Sequence, residues 1–266
     1  MASSPLADAG ATRPPRAIVL AGGRGTRLAP FTSVLPKPLM PIGNRSILEL
    51  VVDQLVDHGI RDITLSVGYL SHLIRAVLDN GGRNPRARIR YVHEDEPLGT
   101  AGPLRLVKGL NETFLVMNGD ILTTLDYGEL VEHHRRQGNA VTIATHRRTV
   151  KIDYGVLDSY PDRDGARVVA YTEKPELSVV VSMGIYVLEP RVAGHVPEGE
   201  HFDFPELVQA LLDAGEPVGS YEYDGLWFDI GRREDYERAV GVWNGDGDQE
   251  AVDEATRVDA VLRAPA

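Results

Sequence analysis

The segment that most constrains the fold joins a short apolar run, Ala17–Ala21, directly to the glycine-rich stretch GGRGTRL of residues 22–28. A run of this length and composition predicts a buried strand. The closely spaced glycines that follow let backbone amides approach an anion and permit positive φ. Arg24, Arg27 and Lys37 supply nearby positive charge. The stretch therefore predicts a strand that ends in a phosphate-binding loop, with a plain tight turn as the alternative.

Two familiar nucleotide-binding motifs do not fit this loop. A Walker loop ends in Gly-Lys-Ser/Thr, whereas this loop continues with Thr26-Arg27-Leu28. A dinucleotide fingerprint needs a third glycine where Leu28 stands. What remains is G-G-x-G-T-R-L followed by P-K-P-L around Lys37, which indicates a phosphate site of a different type.

Composition excludes several classes of function. The chain has 266 residues with ordinary hydrophobic and charged fractions, and its formal net charge of −11 argues against nonspecific binding to nucleic acid or to an anionic membrane. The absence of cysteine excludes disulfides, thiolate metal sites and a cysteine nucleophile, and it fits a cytoplasmic location. No apolar run is long enough to cross a bilayer. Residues 1–15 lack the apolar core of a signal peptide, and we expect a disordered leader there.

Strand-like and helix-like segments alternate up to about residue 150. The predicted strands are Ala17–Ala21, Asp62–Val67, Arg88–His93, Phe114–Met117 and Ala140–Thr145, and the predicted helices are Ser46–His58, Ser71–Leu78, Ala101–Leu110 and Asp126–Gln137. This order predicts an α/β fold with a Rossmann-like, doubly wound, mostly parallel mixed sheet. Ligands of such sheets lie beyond the carboxyl ends of the strands, so the glycine loop and Asn118-Gly119-Asp120 are expected on one rim.

The pattern changes after residue 150. Strands are expected at Val168–Thr172, Val179–Leu188 and Val218–Tyr223, and helices at Asp203–Ala214 and Arg233–Trp243. The strands and their turn-rich connections indicate an inserted subdomain that covers the sheet and shapes a second pocket. Residues 244–266 open acidic and glycine-rich, which is typical of a loose tail.

Two clusters in the first half carry candidate chemistry. The stretch Glu96–Pro103, EPLGTAGP, could press backbone against a flat ring, or it could be a turn that enters a helix. Asp120, in Asn118-Gly119-Asp120, could hold Mg²⁺ beside phosphates, because this ion prefers hard oxygen ligands. An Asx turn is the alternative at that position.

Two further clusters follow in the second half. Glu173-Lys174-Pro175 could grip a sugar hydroxyl and a sugar phosphate, or it could be a solvated turn. Asp229 lies in the apolar segment Trp227–Gly231, where a carboxylate is costly unless it is paired or binds a metal. A helix cap or a structural salt bridge would also satisfy Asp229. The spacing of His133-His134 matches no zinc motif, and both are expected to be surface histidines.

Together these pieces resemble the sugar-1-phosphate nucleotidyltransferases, also called nucleoside-diphosphate-sugar pyrophosphorylases. The resemblance covers roughly Arg16 to Val242 and follows the family's motif order AGGRGTRL, PKPL, EPLGTAGPL, NGD, YGVL, EKP, SMGIY and WFDIG. It implies a GT-A-like nucleotidyltransferase domain over residues 16–243, in which 16–150 mainly bind the NTP and 151–225 mainly bind the sugar phosphate. The C-terminal β-helix domain of many relatives is expected to be missing.

The resemblance implies transfer of a nucleoside monophosphate from an NTP to a sugar-1-phosphate, with release of pyrophosphate and with Mg²⁺ as cofactor. The implied catalytic residues are Arg27, Lys37, Asp120, Lys174 and Asp229, of which Asp120 and Asp229 are the implied metal ligands. The implied nucleotide contacts are Leu20, Ala21, Gly22, Gly23, Gly25, Thr26, Arg27, Glu94, Pro97, Gly99, Thr100, Asn118 and Gly119. The implied sugar-phosphate contacts are Gly155, Glu173, Lys174, Ser182 and Gly184.

The sequence leaves the base and the sugar less constrained. EPLGTAGPL is very similar to the base-binding stretch of mannose-1-phosphate guanylyltransferases, which favours GTP over UTP, CTP and dTTP. Ser182-Met183-Gly184 replaces the usual Asn-Ala-Gly, which leaves mannose, a heptose or a related hexose open. The alternatives are the same reaction with another NTP and glucose-1-phosphate, or a non-catalytic regulatory paralogue.

Two observations bear on rivals from other classes. A non-catalytic paralogue is expected to lose one of the implied catalytic side chains, and Lys37, Asp120, Lys174 and Asp229 are all present. A glycosyltransferase needs an Asp-x-Asp motif after a central strand, which Asn118-Gly119-Asp120 does not provide. Homo-oligomerisation stays open at this point.

Overall fold

The computed structural model describes residues 14–23, 25, 31–81, 84–163, 165–231 and 233–244. In chain order the strands are β1 (Arg16–Leu20), β2 (Pro41–Ile42), β3 (Arg45–Ser46), β4 (Asp62–Val67), β5 (Arg88–His93), β6 (Phe114–Asn118), β7 (Ile121–Thr123), β8 (Val141–Lys151), β9 (Val156–Asp162), β10 (Gly165–Thr172), β11 (Glu176–Leu188), β12 (Val218–Glu222) and β13 (Trp227–Asp229). The α-helices are α1 (Ile47–Asp57), α2 (Ser71–Gly81), α3 (Tyr127–Gln137), α4 (Phe204–Asp213) and α5 (Arg233–Asn244).

A seven-stranded sheet forms the centre of the fold, in the order β12-β8-β11-β6-β1-β4-β5. The four strands β6, β1, β4 and β5 run parallel to one another. Strand β11 runs antiparallel to both of its neighbours, and β12 pairs parallel with β8. The predicted mostly parallel mixed sheet is therefore confirmed.

Strand β1 is buried on both of its faces. Val19 packs into the larger apolar cluster, to which α1, α3 and α5 contribute. Ile18 points to the opposite face, into a second cluster to which α4 contributes Phe204, Leu207 and Leu211. There the ring of Tyr186 stacks on that of Phe204 with 3.9 Å between centroids. Helices on both faces give the doubly wound arrangement.

The helix ends follow the sequence signals. Ser46 and Glu49 form the predicted capping box at the start of α1. The Asp126 carboxylate accepts from two backbone amides at the start of α3, and Gly138 ends that helix with φ of +66°. Among the described helices, none is long and apolar enough to span a bilayer.

The helix expected over Ala101–Leu110 was wrong. The structure has a 3-10 helix over Gly102–Leu106 instead. The amides of Ala101 and Gly102 donate to the carbonyl of Phe202, at 2.9 Å each, rather than entering a longer helix. Pro103 removes another donor, and Gly109 with φ of +73° turns the chain before a second turn can form.

The expectation for His134 was also wrong, because this histidine is buried, with 1% of its surface exposed. Its Nδ1 lies 2.9 Å from the Thr142 hydroxyl, and its Nε2 lies 3.1 Å from a Glu189 oxygen. These partners come from β8 and from the turn after β11, so the helical pattern alone does not show that the ring is enclosed. Burial lowers the pKa of His134, and the Glu189 carboxylate partly opposes that shift.

The His134 pKa predicts a loss of stability in acid. The pKa of His134 is lower in the folded state than in the unfolded state. Once the pH falls below about 6.5, the ordinary histidine pKa, the unfolded state therefore binds more protons and the folded state loses stability. We expect His134→Gln to flatten the fall in unfolding free energy from pH 7 to pH 5, a fall of at most about 1.4 kcal/mol per pH unit for one group. Urea unfolding across this range measures the slope. The neighbouring, less buried His133→Gln is the control, and an unchanged slope in His134→Gln would contradict the assignment.

Candidate functional site

The glycine-rich loop begins where β1 ends. Gly25 has φ of +62°, and a Cβ at this position would lie 2.9 Å from the Lys37 Cβ and 3.0 Å from a Thr32 methyl. The Thr32 hydroxyl donates to the Gly25 carbonyl at 2.8 Å. Glycine is therefore required at position 25 both by backbone conformation and by space. Three residues that the sequence singles out, Arg24, Thr26 and Arg27, lie outside the described residues.

The loop after β6 packs against the loop after β1, as the parallel sheet predicts. The Gly119 amide donates to the Leu20 carbonyl at 2.8 Å, and a Cβ on Gly119 would come within 2.9 Å of the same oxygen. On the other side of β1, the Ala21 amide donates to the Ser66 carbonyl at 2.8 Å. The two loops thus share one rim at the carboxyl ends of the strands.

Lys37 and Asp120 form an ion pair on this rim, although 83 residues separate them in sequence. Their side chains are 11% and 19% exposed, so both charges are largely removed from water. The pair uses one oxygen of Asp120. The other, Oδ1, is buried and has no hydrogen-bond partner among the described residues. An unpartnered buried carboxylate oxygen has unused capacity for a cation.

Asp229 lies beside Asp120 through strand pairing. Strand β13 pairs antiparallel with β7, so that Asp229 stands opposite Ile121. The Ile230 amide also donates to the Asp120 carbonyl at 3.1 Å. The apolar neighbour Phe228 is buried, whereas Asp229 is exposed. Asp120, in the turn before β7, and Asp229, in β13, are thus close along the backbone, and carboxylate oxygens suit a hard divalent cation such as Mg²⁺.

A cavity of about 350 Å³ opens beside these groups. Most of the residues predicted to contact nucleotide line it, together with two that the sequence did not single out, Pro38 and His201. The lining residues are Leu20, Ala21, Gly22, Gly23, Gly25, Lys37, Pro38, Glu94, Pro97, Gly99, Thr100, Asn118, Asp120 and His201. His201 carries no local motif. Its place follows from the packing of the segment before α4 against Gly99.

Glu94 is held in place at the cavity by two donors. The Ser66 hydroxyl donates to its Oε1 at 2.7 Å, and the Leu98 amide donates to its Oε2 at 3.2 Å. A Cβ on Gly22 would come within 2.5 Å of Oε1, so glycine at position 22 makes room for this carboxylate. Each oxygen still has a lone pair that can accept from a ligand in the cavity.

Thr100 joins the 3-10 segment to the start of α4. Its amide and hydroxyl both donate to an Asp203 oxygen, at 2.8 and 3.0 Å. The same hydroxyl accepts from the Phe204 amide at 2.9 Å, which satisfies a free donor in the first turn of α4. Gly99 has φ of +79° and lies so close to Phe202 that a Cβ would approach its carbonyl to 2.7 Å. This wall of the cavity is therefore rigidly attached to α4.

The predicted sugar-phosphate residues fall into two groups. Ser182 and Gly184 lie beside the rim, because a Cβ on Gly184 would come within 2.6 Å of the Asn118 side-chain nitrogen. The Gly184 amide also donates to the Ser182 hydroxyl at 3.2 Å. Gly155, Glu173 and Lys174 are exposed, lie farther along the strands that extend from the sheet, and do not line the cavity.

Glu173 and Lys174 have defined local geometry. The Tyr171 hydroxyl donates to Glu173 at 2.6 Å, and this bond raises the pKa of the Tyr171 hydroxyl. Lys174 has φ of +46°, a left-handed conformation that is uncommon for a residue with a side chain. Its amide donates to the Tyr154 carbonyl at 3.3 Å.

The fold and rim define an α/β domain with a glycine-rich loop and the Lys37–Asp120 ion pair at the carboxyl ends of its parallel strands. The sequence model of the family described as "Nucleotidyl transferase" matches residues 16–241. The chain therefore belongs to the nucleotidyl transferase family.

Individual relatives agree with this membership. A protein of Aspergillus fumigatus named mannose-1-phosphate guanyltransferase is 34% identical over 83% of this chain and 62% of its own length. A protein of Synechocystis named UTP–glucose-1-phosphate uridylyltransferase is 32% identical over 85% of this chain and 62% of its own length. The chain thus spans about 62% of the length of these curated relatives.

Solved structures share the fold. The structure of HddC from Yersinia pseudotuberculosis complexed with GMP-PN has a TM-score of 0.62 and 27% identity, and the match covers 85% of this chain and 97% of that one. A structure titled as a Bacillus anthracis glucose-1-phosphate thymidylyltransferase has a TM-score of 0.66 at 24% identity, covering 86% and 94% of the two chains. At this identity it supports the fold alone.

The bonds of Thr100 predict its contribution to stability. Thr100→Val keeps the shape of the side chain but leaves the Phe204 amide and the Asp203 carboxylate each without one partner. We expect a loss of about 1–3 kcal/mol in unfolding free energy. Urea unfolding measures it, with the exposed Thr149→Val as the control, expected to change stability by less than about 0.5 kcal/mol. Equal stability of the two variants would contradict the role of Thr100.

Proposed function

We propose that this protein transfers a nucleoside monophosphate from an NTP to a sugar-1-phosphate and releases pyrophosphate. The observation that carries the proposal is the Lys37–Asp120 pair beside the glycine-rich loop, with the second Asp120 oxygen left without a partner in the described part of the chain. Membership of the family and the names of the Aspergillus and Synechocystis relatives support the same class of reaction.

The proposed chemistry needs positioning and positive charge rather than a protein nucleophile. Both substrates are anions and repel each other until cations offset the repulsion. An already ionised oxygen of the sugar phosphate attacks the α-phosphorus of the NTP in line. A new P–O bond forms while the bond to pyrophosphate breaks, and pyrophosphate leaves with the electron pair. Lys37, which lines the cavity, would stabilise the charge that develops on the phosphate under attack.

The remaining stabilisation of negative charge is assigned to the amides of the glycine loop and to a Mg²⁺ ion that the two carboxylates would hold. The amides of Gly22, Gly23 and Gly25 would bind the phosphates, together with Thr26 and Arg27. Asp120 and Asp229 are the proposed Mg²⁺ ligands, and the unpartnered Asp120 oxygen fits a hard cation. When bound, Mg²⁺ supplies charge neutralisation at the triphosphate.

Within this proposal GTP is the favoured nucleotide. A glutamate carboxylate only accepts hydrogen bonds, and guanine presents two adjacent donors, the ring N–H and the exocyclic amine. Glu94, fixed by Ser66 and Leu98, lies in the cavity where it could accept both. UTP, CTP and dTTP offer fewer such donors side by side, and they are the alternatives. Apolar contacts to the base and ribose would come from Leu20, Ala21 and Pro97. The adjoining walls of the site would be formed by Gly99, Thr100, Asn118 and Gly119.

The sugar phosphate is assigned to residues 151–225, and the NTP mainly to residues 16–150. Glu173 would accept from sugar hydroxyls and Lys174 would bind the 1-phosphate, with Gly155, Ser182 and Gly184 alongside. The substrate proposed is mannose-1-phosphate or the 1-phosphate of a heptose or related hexose. Glucose-1-phosphate with another NTP is the second candidate, which the name of the Synechocystis relative favours. A cytoplasmic location is part of the proposal.

The proposal predicts Mg²⁺-dependent pyrophosphate release only when both substrates are present. Four NTPs are assayed against a panel of sugar-1-phosphates, with pyrophosphate detected as phosphate after pyrophosphatase. We expect the double variant Asp120→Ala, Asp229→Ala to lose more than about 100-fold in kcat/KM. The exposed Asp213→Ala is the control and should keep full activity. Lack of turnover with every pair would favour the non-catalytic paralogue, and full activity of the double variant would contradict the metal assignment.

The role given to Glu94 predicts a change of base preference. Glu94→Gln keeps the shape but replaces one acceptor oxygen with a donor, which would face a donor of guanine. We expect kcat/KM with GTP to fall about 10–100-fold, the effect of one mispaired polar group, while turnover with UTP changes little. The exposed neighbour Glu96→Gln is the control and should behave as the unmodified protein. A uniform fall with all NTPs would contradict direct contact with the base.

A further inference from the structure

Strands β7 and β13 form a ribbon of only three residues on each side. The pairing places Asp229 opposite Ile121, next to Asp120 in the turn before β7. A two-stranded ribbon without further support is at best marginally stable in water. A slip of one residue would turn Asp229 to the opposite face of the ribbon and displace it by about 3.3 Å. The register of β13 therefore depends on contacts beyond the strand pairing itself.

Two adjacent threonines bind the backbone of Leu226, the residue directly before β13. The Thr123 hydroxyl donates to the Leu226 carbonyl at 2.7 Å, and the Thr124 amide donates to the same carbonyl at 3.1 Å. The Leu226 amide in turn donates to the Thr124 hydroxyl at 3.1 Å. Both backbone polar groups of Leu226 are thus bound by one two-residue segment. We call this arrangement of Thr123, Thr124 and Leu226 the threonine clasp, and it determines where β13 begins.

The threonine clasp is attached to other elements of the fold. Thr123 is buried, and its carbonyl accepts from the Gln54 side-chain amide at 2.7 Å. Gln54 is also buried and lies in α1, a helix that packs into the larger apolar cluster. The Thr124 hydroxyl also forms a hydrogen bond with the Tyr223 hydroxyl, just after β12. The clasp therefore transmits the position of α1 and of the central sheet to the start of β13.

We propose that Thr123 and Thr124 are positioning residues for the divalent cation, because they set the register of β13 and so hold Asp229 beside Asp120. The inference rests on the proposed function, in which these two carboxylates are the Mg²⁺ ligands. Neither threonine is assigned a contact with the ion or a substrate, and their effect passes through the backbone of Leu226. Groups that orient metal ligands contribute about 10–100-fold to metal affinity without touching the metal.

The affinity for Mn²⁺ tests the proposal without turnover. Mn²⁺ takes the same oxygen ligands as Mg²⁺, and electron paramagnetic resonance of the free ion measures how much is bound. Thr124→Val keeps the shape of the side chain but removes the acceptor of the Leu226 amide. We expect this change to raise the Mn²⁺ dissociation constant of the full chain about 10–100-fold. Thr124→Ser restores the hydroxyl and should bind Mn²⁺ as the unmodified protein does.

Thr142→Val is the matched control. Thr142 is a buried threonine of β8 whose hydroxyl bonds to His134 and Asn139, so its loss disturbs the fold but not β13. Its Mn²⁺ dissociation constant should not change. A Thr124→Val protein that binds Mn²⁺ as the unmodified protein does, or an equal loss in Thr142→Val, would overturn the proposal and leave the proposed function intact.

The double variant Asp120→Ala, Asp229→Ala separates the two levels of the argument. It should lose the Mn²⁺ site altogether. Absence of Mn²⁺ binding by the unmodified protein, or binding that survives in the double variant, would contradict the metal assignment of the proposed function, on which the role of the clasp depends.

Hydrogen exchange of the unmodified protein, resolved by NMR, supplies a second test that does not depend on any variant folding. The amides of Thr124 and Leu226 are both bonded across the clasp. We expect them to exchange at least about 100-fold more slowly than in an unstructured chain. A ribbon held only by its own short pairing would open freely. Exchange of the Leu226 amide at the rate of an unstructured chain would overturn the proposal even if Asp120 and Asp229 bind a metal.

Discussion

The burial of β1 is the constraint on which the rest of the structure depends. Ala17, Ile18 and Val19 are completely buried, and the strand pairs with β4 on one edge and β6 on the other. A strand enclosed on both faces and both edges cannot shift its register without exposing its side chains or breaking its hydrogen bonds. Its carboxyl end is therefore fixed in space, and this position determines where the glycine-rich loop and the loop after β6 must meet.

The proposed anion site in a chain of net charge −11 has to be built locally, and Lys37 places a cation at the rim while it is paired with Asp120. Either charge would be unfavourable alone in this largely buried position, because desolvation costs several kcal/mol per ion. Paired, they keep a cation at the rim and leave one carboxylate oxygen for a second cation. The two residues are consequently interdependent, and removing one destabilises the environment of the other as well as the chemistry assigned to it.

Much of the sheet and rim follows from the sequence, because buried parallel strands and glycine loops have local signatures. The strand order predicts that Gly22–Gly25 and Asn118–Asp120 share a rim, and they do. Features that depend on distant partners were not predicted. His134 is enclosed by Thr142 and Glu189, and His201 reaches the cavity through the packing of another segment. Strands were predicted at Val168–Thr172 and Val179–Leu188, but β9 was missed because its residues are mostly exposed and lack an alternating apolar pattern.

The two halves of the proposed site differ in how strongly the fold constrains them. The nucleotide side uses backbone atoms and side chains tied to buried strands, so most substitutions there would disturb the core. The proposed sugar side uses Gly155, Glu173 and Lys174, which lie at the ends of the exposed strands β9 and β10. Substitutions on such a surface usually change unfolding free energy by less than about 0.5 kcal/mol. The residues proposed to contact the sugar can therefore vary with little effect on stability, whereas the rim is constrained by the buried strands that hold it.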